Sequence, residues 1–383
     1  MMKIVHICLA GPYTDLLSYQ ENILTKFHKI MGLDVIILAG KNIWSDEGKI
    51  TTDSRKTYIN ENGVKVYRLN LYIDNFIFDK LKIFRGVKSV LDSEEPEIIF
   101  VHGGCQMMAS FDIINYKIAH PKIDIYIDNH ADYSNSAKTW FSKNILHKIL
   151  WRYCAKKLEP YAEMFFGVLP IRVEFLKSMY GLSEDKIKYL PLGADDQKVD
   201  LAYVNREHTR CNYNIAPDCF LIVTGGKIDQ GKSQTLELMK AVHVLRSEYN
   251  ASIRLIIFGS VSNELKEEFD SLLKDGSITY VGWISTQSSY DHFAAADLVV
   301  FPGGHSVFWE QVVAQGIPLV VNYWCGMEHL DIGANCRFLY GATESEITDI
   351  LKEIVLCTNI YEMMLKAAKD SARYKFMYSN IAL

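Results

Sequence analysis

Short, continuous apolar runs alternate along this chain with longer stretches in which apolar positions recur every three to four residues. Runs of that length, rich in Ile and Val, read as strands buried on both faces, and the longer stretches read as helices with one apolar face. A first series of strands is predicted at 3–9 (KIVHICL), 34–39, 97–101, 123–127, 164–169 and 186–190. A second falls at 220–224 (FLIVT), 253–258 (IRLIIF), 278–281, 297–301 and 317–321. Helical periodicity covers 19–31, 80–93, 140–157, 233–248, 262–274, 306–315 and 344–357. Strands separated by helices predict parallel sheets covered on both faces, a doubly wound α/β arrangement. Two such series, with a polar connecting stretch at about 193–216, predict two Rossmann-like domains in tandem. There is no solenoid repeat and no low-complexity tract. Ligands of open parallel sheets bind beyond the carboxyl ends of the strands, and two halves make the cleft between them the natural site.

Composition narrows the class. A chain of 383 residues suits two domains, and 49% hydrophobic with 23% charged residues excludes a disordered chain, a collagen and a coiled coil. No window approaches the ~18 apolar residues of a membrane span. The apolar stretch at the N-terminus is too short for a signal sequence and reads as a first strand. Eight scattered cysteines without a CxxC pair (Cys8, Cys105, Cys154, Cys211, Cys219, Cys325, Cys336 and Cys357) point to reduced thiols in a cytoplasmic protein, with neither disulfides nor a zinc site. Residues 1–190 hold 25 basic against 22 acidic residues, a net +3, and the rest 16 against 24, a net −8. Eight of the basic residues fall within 138–177, so the first half is expected to present a basic face to something anionic. The acidic overall balance and the lack of a nucleic-acid motif argue against DNA or RNA and for an anionic membrane surface. The stretch 138–157 interleaves Trp140, Phe141, Ile145, Leu146, Ile149, Leu150 and Trp151 with lysines, the pattern of a helix lying on a membrane or of one packed on its own sheet.

Two junctions in the second half carry the most chemistry. Gly226-Lys-Ile-Asp-Gln-Gly231-Lys232-Ser233 matches the phosphate-loop pattern GxxxxGK[ST] between a strand and a helix. Its interior lacks extra glycines, and no later strand clearly ends in a magnesium-binding aspartate. The pattern also places Lys227 and Lys232 as two cations at a helix start, suited to a diphosphate. At Phe301-Pro302-Gly303-Gly304-His305-Ser306-Val307, backbone N–H groups of Gly304, His305, Ser306 and Val307 are expected at a helix start, a second phosphate site. Glu310, four residues after Ser306, is placed to accept a ribose diol.

In these residues the chain resembles the retaining family-4 glycosyltransferases of GT-B fold, two Rossmann-like parallel-sheet domains facing a cleft, over nearly its whole length. VTGGKIDQGKSQTLELMKA is similar to that family's strand, Gly-Arg-x4-Lys-Gly loop and helix, which sets Lys227 and Lys232 in the diphosphate-binding positions and Gly226 beside the nucleoside. IRLIIFGS and ITYVGWIS are similar to the stretch that holds the base, with Ile284 near the ring. HSVFWEQVVAQGIPLVV is similar to the helix bearing the second glutamate of the Glu-x7-Glu motif, here Glu310; the first falls on Pro302, a departure that affects sugar recognition. In the first half, Gly11, Tyr19 and Gln20 match the glycine-containing loop near donor phosphates and acceptor. His102 follows another strand, and His130, in Asp128-Asn-His-Ala-Asp132, matches the family's histidine near the sugar. The resemblance implies domains at 1–192 and 193–365, with 366–383 crossing back as a helix onto the first.

The resemblance further implies transfer of a sugar, with retention, from a nucleotide-sugar (UDP by family frequency) to a glycan or lipid-linked glycan of a bacterial surface polysaccharide. It also implies a cytoplasmic location, peripheral on the inner face of the cell membrane. His130, Lys232 and Glu310 are the expected catalytic residues, His130 orienting the sugar. No cofactor and no metal are expected, since cations and helix dipoles can stabilise the leaving diphosphate and no Asp-x-Asp triplet occurs. Two other readings stand beside it: a phosphate-loop NTPase or kinase using 226–233, and a non-catalytic nucleotide-sugar-binding protein.

Overall fold

A computed structural model describes residues 2–45, 49–104, 107–273 and 276–383. The chain divides into two compact units, Met1–Pro191 with Ala382, and Leu192–Ile381 with Leu383. In the first unit the strands are β1 (Lys3–Cys8), β2 (Asp34–Gly40), a small hairpin of β3 (Asn42–Trp44) and β4 (Ile50–Thr52), β5 (Thr57–Ile59), β6 (Lys65–Leu69), β7 (Ile98–Val101), β8 (Asp124–Asn129), β9 (Met164–Gly167) and β10 (Ile187–Tyr189). Eight of them form one sheet in the order β10-β9-β8-β7-β1-β2-β6-β5, parallel except where the edge strand β5 meets β6. The second unit holds β11 (Phe220–Ile228), β12 (Ile253–Val261), β13 (Ile278–Gly282), β14 (Leu298–Phe301), β15 (Leu319–Asn322) and β16 (Cys336–Leu339). These six pair in the order β13-β12-β11-β14-β15-β16, all parallel.

Each sheet is buried on both faces because its central strands carry apolar side chains at successive positions. Val5, Ile7, Ile36, Leu38, Ile99, Val101, Ile125 and Ile127 are all 2% exposed or less in the first core, and Leu255, Ile257, Leu298 and Val300 are fully buried in the second. The eleven predicted strands are present within a few residues. Others carry no continuous apolar run: β6 (KVYRL) and β16 (CRFL) interleave charge with apolar residues because they lie at or next to an edge.

The polar stretch 193–216 is mostly a helix, Asp196–Asn212, where a connecting segment was expected. The Asp195 carboxylate caps it by accepting from Gln197 N–H, Val199 and Ala202 are buried, and its polar side chains find partners. Arg206 and Arg210 donate to the carbonyls of Ala296 and Ala295, which end the helix Thr286–Ala295, and both pair with Asp297. The periodic stretch 80–93 is broken in two, a turn of helix at Phe76–Lys80 and a helix at Val87–Glu94, with Lys82 and Gly86 between them in left-handed backbone. The stretch after Trp140 winds wide over Ser142–Trp151 before tightening at Arg152–Leu158. Past the helix Thr358–Ala368 the chain makes a tight turn at Ser371–Phe376 and one helical turn at Tyr378–Ile381, which bracket Ala194 through hydrogen bonds of 2.8 and 3.0 Å. That segment counts with the second unit up to Ile381, and Ala382 with the first.

Among the described residues no helix is long and apolar enough to cross a membrane. Seven cysteines are free thiols, four of them buried; Cys105 lies outside the described residues.

Candidate functional site

Strand order locates two pockets. In the first sheet the chain runs outward from β1 to β2 and later returns on the other side of β1 with β7, so the order reverses between β1 and β7. In the second it reverses between β11 and β14. Beyond such reversals the loops diverge and leave a crevice.

In the second unit this crevice gathers both junctions singled out in the sequence: Lys227 from the end of β11 and Lys232 from the turn after it, with Pro302, Gly303 and Gly304 from the other. Gly303 lies so close to Lys232 that a Cβ there would sit 2.9 Å from the Lys232 Cα. The two lysines differ. Lys227 is exposed and lies 3.3 Å from Asp229. Lys232 is half-buried, and its ammonium has no hydrogen bond or ion pair among the described residues. Burial depresses the Lys232 ammonium below its ordinary range, with Lys227 adding to the effect and Asp229 opposing it. The backbone N–H groups of Gly304, His305, Ser306 and Val307 are likewise without an intramolecular partner among the described residues. Ser306 is a weak cap, its hydroxyl 3.5 Å from Phe308 N, and the helix spans only Phe308–Ala314.

The phosphate-loop reading fails on geometry. Gly226, Lys227 and Ile228 are not loop but the last rungs of β11, registered against Gly259, Ser260 and Val261 of β12. That leaves only Asp229–Ser233 for the turn, where a phosphate cradle needs the whole stretch after the first glycine free.

Glu310 does not face an open ribose site. Its side chain is wholly buried, and both carboxylate oxygens lie 3.1 Å from His305 Nε2, with His329 Nε2 3.1 Å from Oε1. Burial alone would raise its pKa, but the two imidazoles hold it down to about 2. His305 is therefore engaged by its side chain with Glu310, while its backbone stays in the segment that leads into the helix Phe308–Ala314. Ile284 is half-buried in the loop after β13, and Gly226 lies within the last rungs of β11 with φ +117°.

In the first unit the crevice is a cavity of about 430 Å³ lined by Gly11, His102 and His130, together with Cys8, Glu21 and Asn135 among others. Tyr19 and Gln20 do not line it: Tyr19 occupies the cap position of the helix Gln20–Ile30, and Gln20 is buried, its amide without a hydrogen bond among the described residues. Gly103 must be glycine, since φ is +80° and a Cβ would lie 2.4 Å from that of Ala10. Asp128, fully buried at the end of β8, organises the cavity wall. It accepts from Gly103 N–H at 2.6 Å and bonds His102 Nδ1 at 2.8 Å and His130 Nε2 at 3.2 Å. Burial pushes its carboxyl up, but His130 and His102 outweigh that and hold it well below the ordinary range. Asp132, at the other end of that stretch, is buried against Arg172 at 3.0 Å. The sequence reading had no signal for Glu21, Asn135, His6, His28 or His329, which sit in periodic or unremarkable stretches.

No family model matches the chain. A curated relative, mannosylfructose-phosphate synthase of Agrobacterium fabrum, is 22% identical over 271 residues, 66% of this chain, and the match spans 58% of that relative's length. Among solved structures, sucrose-phosphate synthase from Thermosynechococcus elongatus aligns over 100% of this chain and 96% of that one, with TM-score 0.69 and 12% identity. Anabaena HepE in complex with UDP and glucose aligns over 100% and 97%, with TM-score 0.66 and 14% identity. A putative UDP-N-acetylglucosamine 2-epimerase from Listeria monocytogenes aligns over 100% and 94%, with TM-score 0.65 and 12% identity. The chain thus has the GT-B fold, with two doubly wound parallel-sheet units in tandem, each with a crevice where its strand order reverses.

Proposed function

We propose that this chain is a metal-independent retaining glycosyltransferase of the family-4 type, which moves a sugar from a UDP-sugar to a glycan or lipid-linked glycan acceptor. One observation carries the reading: the half-buried Lys232 ammonium beside four backbone N–H groups at 304–307, all without a partner among the described residues. Free donors clustered at a helix start beside a cation suit an anion, and a diphosphate supplies both the acceptors and the opposite charge. Those donors would stabilise the charge that develops on the departing diphosphate. Lys227, exposed and tied to Asp229, plays the lesser part. Glu310 acts indirectly, anchoring the imidazoles of His305 and His329. In the first unit His130 and Gly11 meet the sugar or acceptor.

The acceptor reading extends to a membrane. Trp140, Phe141, Ile149 and Tyr153 are each more than half exposed, on a segment that also bears Lys143 and Lys148, while Leu146 and His147 face inward. An apolar surface set among lysines suits an anionic bilayer carrying a lipid-linked glycan.

The test is thermal unfolding with UDP, GDP, TDP and ATP, each with magnesium and with EDTA, followed by product analysis with UDP-sugars. Stabilisation by UDP unchanged by EDTA is expected, about 2.7 kcal/mol at a hundredfold excess over Kd. Release of UDP only when a glycan acceptor is present marks transfer. Isomerisation of the UDP-sugar without release would mark the epimerase chemistry that the fold also hosts. Binding with no turnover on any acceptor would leave a nucleotide-sugar-binding protein.

A further inference from the structure

The first-unit cavity has a polar wall, yet most of its polar groups are already engaged. His102 bonds Asp128 through Nδ1 at 2.8 Å, and its Nε2 lies 2.9 Å from His6, which in turn meets His28 at 2.9 Å, so the three imidazoles stand in a row. His130 Nε2 lies 3.2 Å from Asp128. The Asn135 amide donates to the His130 carbonyl at 2.7 Å and accepts from Asp132 N–H at 2.9 Å. The Ser136 hydroxyl sits 2.9 Å from Nε2 of the buried His147. Glu21 differs from all of these. It enters the wall from the first turn of the helix Gln20–Ile30 and is half-buried, and its carboxylate has no hydrogen bond or ion pair among the described residues.

The sign of the wall follows from which charges reach it. Among the described residues no lysine or arginine lines this cavity. Lys41, Lys82 and Arg85 line a neighbouring cavity of about 390 Å³, which shares Ala10 and Gly11 with this one. With two carboxylates, Glu21 in the wall and Asp128 behind it, the site stays net negative even with one imidazole charged. Burial raises the Cys8 thiol well above its ordinary range and the Glu21 charge adds to that, so the carboxylate bears on the same wall. A phosphate or carboxylate brought in here meets a like charge and no lysine or arginine, whereas a hydroxyl or an ammonium finds an unused acceptor. The helix carrying Glu21 packs along β1 and β2 with Ile23, Leu24 and Phe27 buried, so a rigid element delivers the carboxylate.

We propose that Glu21 is the specificity-determining residue of this cavity: its carboxylate selects a terminal sugar that presents hydroxyl or ammonium donors and rejects one that bears a phosphate or a carboxylate. The assignment rests on the reading of this cavity as the sugar or acceptor site, and adds the charge of the group that enters it. A carboxylate only accepts, and its two oxygens can take both hydrogens of a sugar diol. Glutamine at the same position keeps the size, loses the charge and turns one of those two acceptors into a donor. Lysine replaces the acceptor with a cation.

Ligand-detected NMR titrations of the full-length protein test the preference, with and without UDP, at mildly acidic pH where an amino sugar is an ammonium. The probes are methyl glucoside, its 2-amino analogue and methyl glucuronide. The amino sugar should bind about tenfold more tightly than the glucuronide, with the neutral glucoside between them. Glu21→Gln should bring the amino and uronic probes within about threefold of each other, and Glu21→Lys should reverse their order. A glucuronide that binds the wild type as tightly as the amino sugar, an order untouched by both substitutions, or no binding of any probe would each overturn the proposal. The wild-type order decides it even if a variant does not fold. Stabilisation by UDP is read separately. Probes in the expected order without UDP stabilisation would sink the transferase reading and keep the charge preference; UDP stabilisation with the opposite order would do the reverse.

Discussion

At the scale of single residues, what matters is which polar groups are already satisfied. Lys227 and Lys232 are five positions apart and look equivalent as sequence, but one is 72% exposed and paired, whereas the other is half-buried and has no partner among the described residues. Lys232→Ala should therefore remove most UDP stabilisation, about 2 kcal/mol of binding, and Lys227→Ala much less, as read by calorimetry. Equal losses would assign the phosphate to Lys227 as well. Glu310 makes the opposite case. Glu310→Gln replaces the buried carboxylate to which the His305 and His329 rings are hydrogen-bonded and should cost about 3 kcal/mol in urea unfolding. A variant as stable as the parent would show that the buried carboxylate is not the anchor of that loop.

At the scale of elements, close approach of backbones decides where the loops lie. Gly259 holds φ +115°, and a Cβ there would sit 1.9 Å from the Gly226 carbonyl oxygen. Gly259→Ala should force apart the ends of β11 and β12, lowering Tm by several degrees and weakening UDP binding together. Gly11→Ala, with nothing within 4 Å of its Cβ, should leave Tm unchanged. The same pair of strands explains why the GxxxxGK[ST] match misled: a pattern of residue types does not state that its first three residues are ladder rungs, since that depends on how far β12 extends alongside. The helix Asp196–Asn212 was hidden for a related reason. Its arginines and aspartate read as a polar connector until Arg206 and Arg210 are seen satisfying the carbonyls at the end of the helix Thr286–Ala295.

At the scale of the molecule, buried histidines set the response to acid. Burial, with the neighbouring His102 adding for His28, holds His28 and His147 down to about 4 each, against an ordinary value near 6.5. Between those values the unfolded chain binds protons that the folded chain refuses, so stability rises with pH through that window and falls as pH drops from 6.5 towards 4. The loss amounts to at most roughly 3 kcal/mol per histidine. Denaturant midpoints across pH 4–7 should show this slope, and His147→Phe should flatten it; a flat parent profile would mean that these rings are charged in the native state. Binding to anionic vesicles belongs to this scale too. It should require low salt and weaken in a Trp140→Ala, Phe141→Ala double variant.

The order of apolar runs and periodic stretches was enough for two parallel-sheet halves in tandem, because burial on both faces of a sheet leaves a continuous apolar imprint on each central strand. The loops at strand ends were legible for the same reason: glycine, proline and charge interrupt that imprint where the two crevices lie, at Gly11, His102, His130, Lys232 and Gly303. Edge strands leave a weaker trace, since one side faces water and their composition alternates. What the chain order did not contain was partnership. Whether Glu310 meets a sugar or two imidazoles, whether Lys232 is paired, and whether His6, His28 and His102 stand in a row are set by approaches between residues up to 96 positions apart. Such contacts depend on strand order and register, and hydrogen bonds, being directional and short, turn shifts of an ångström into different chemistry.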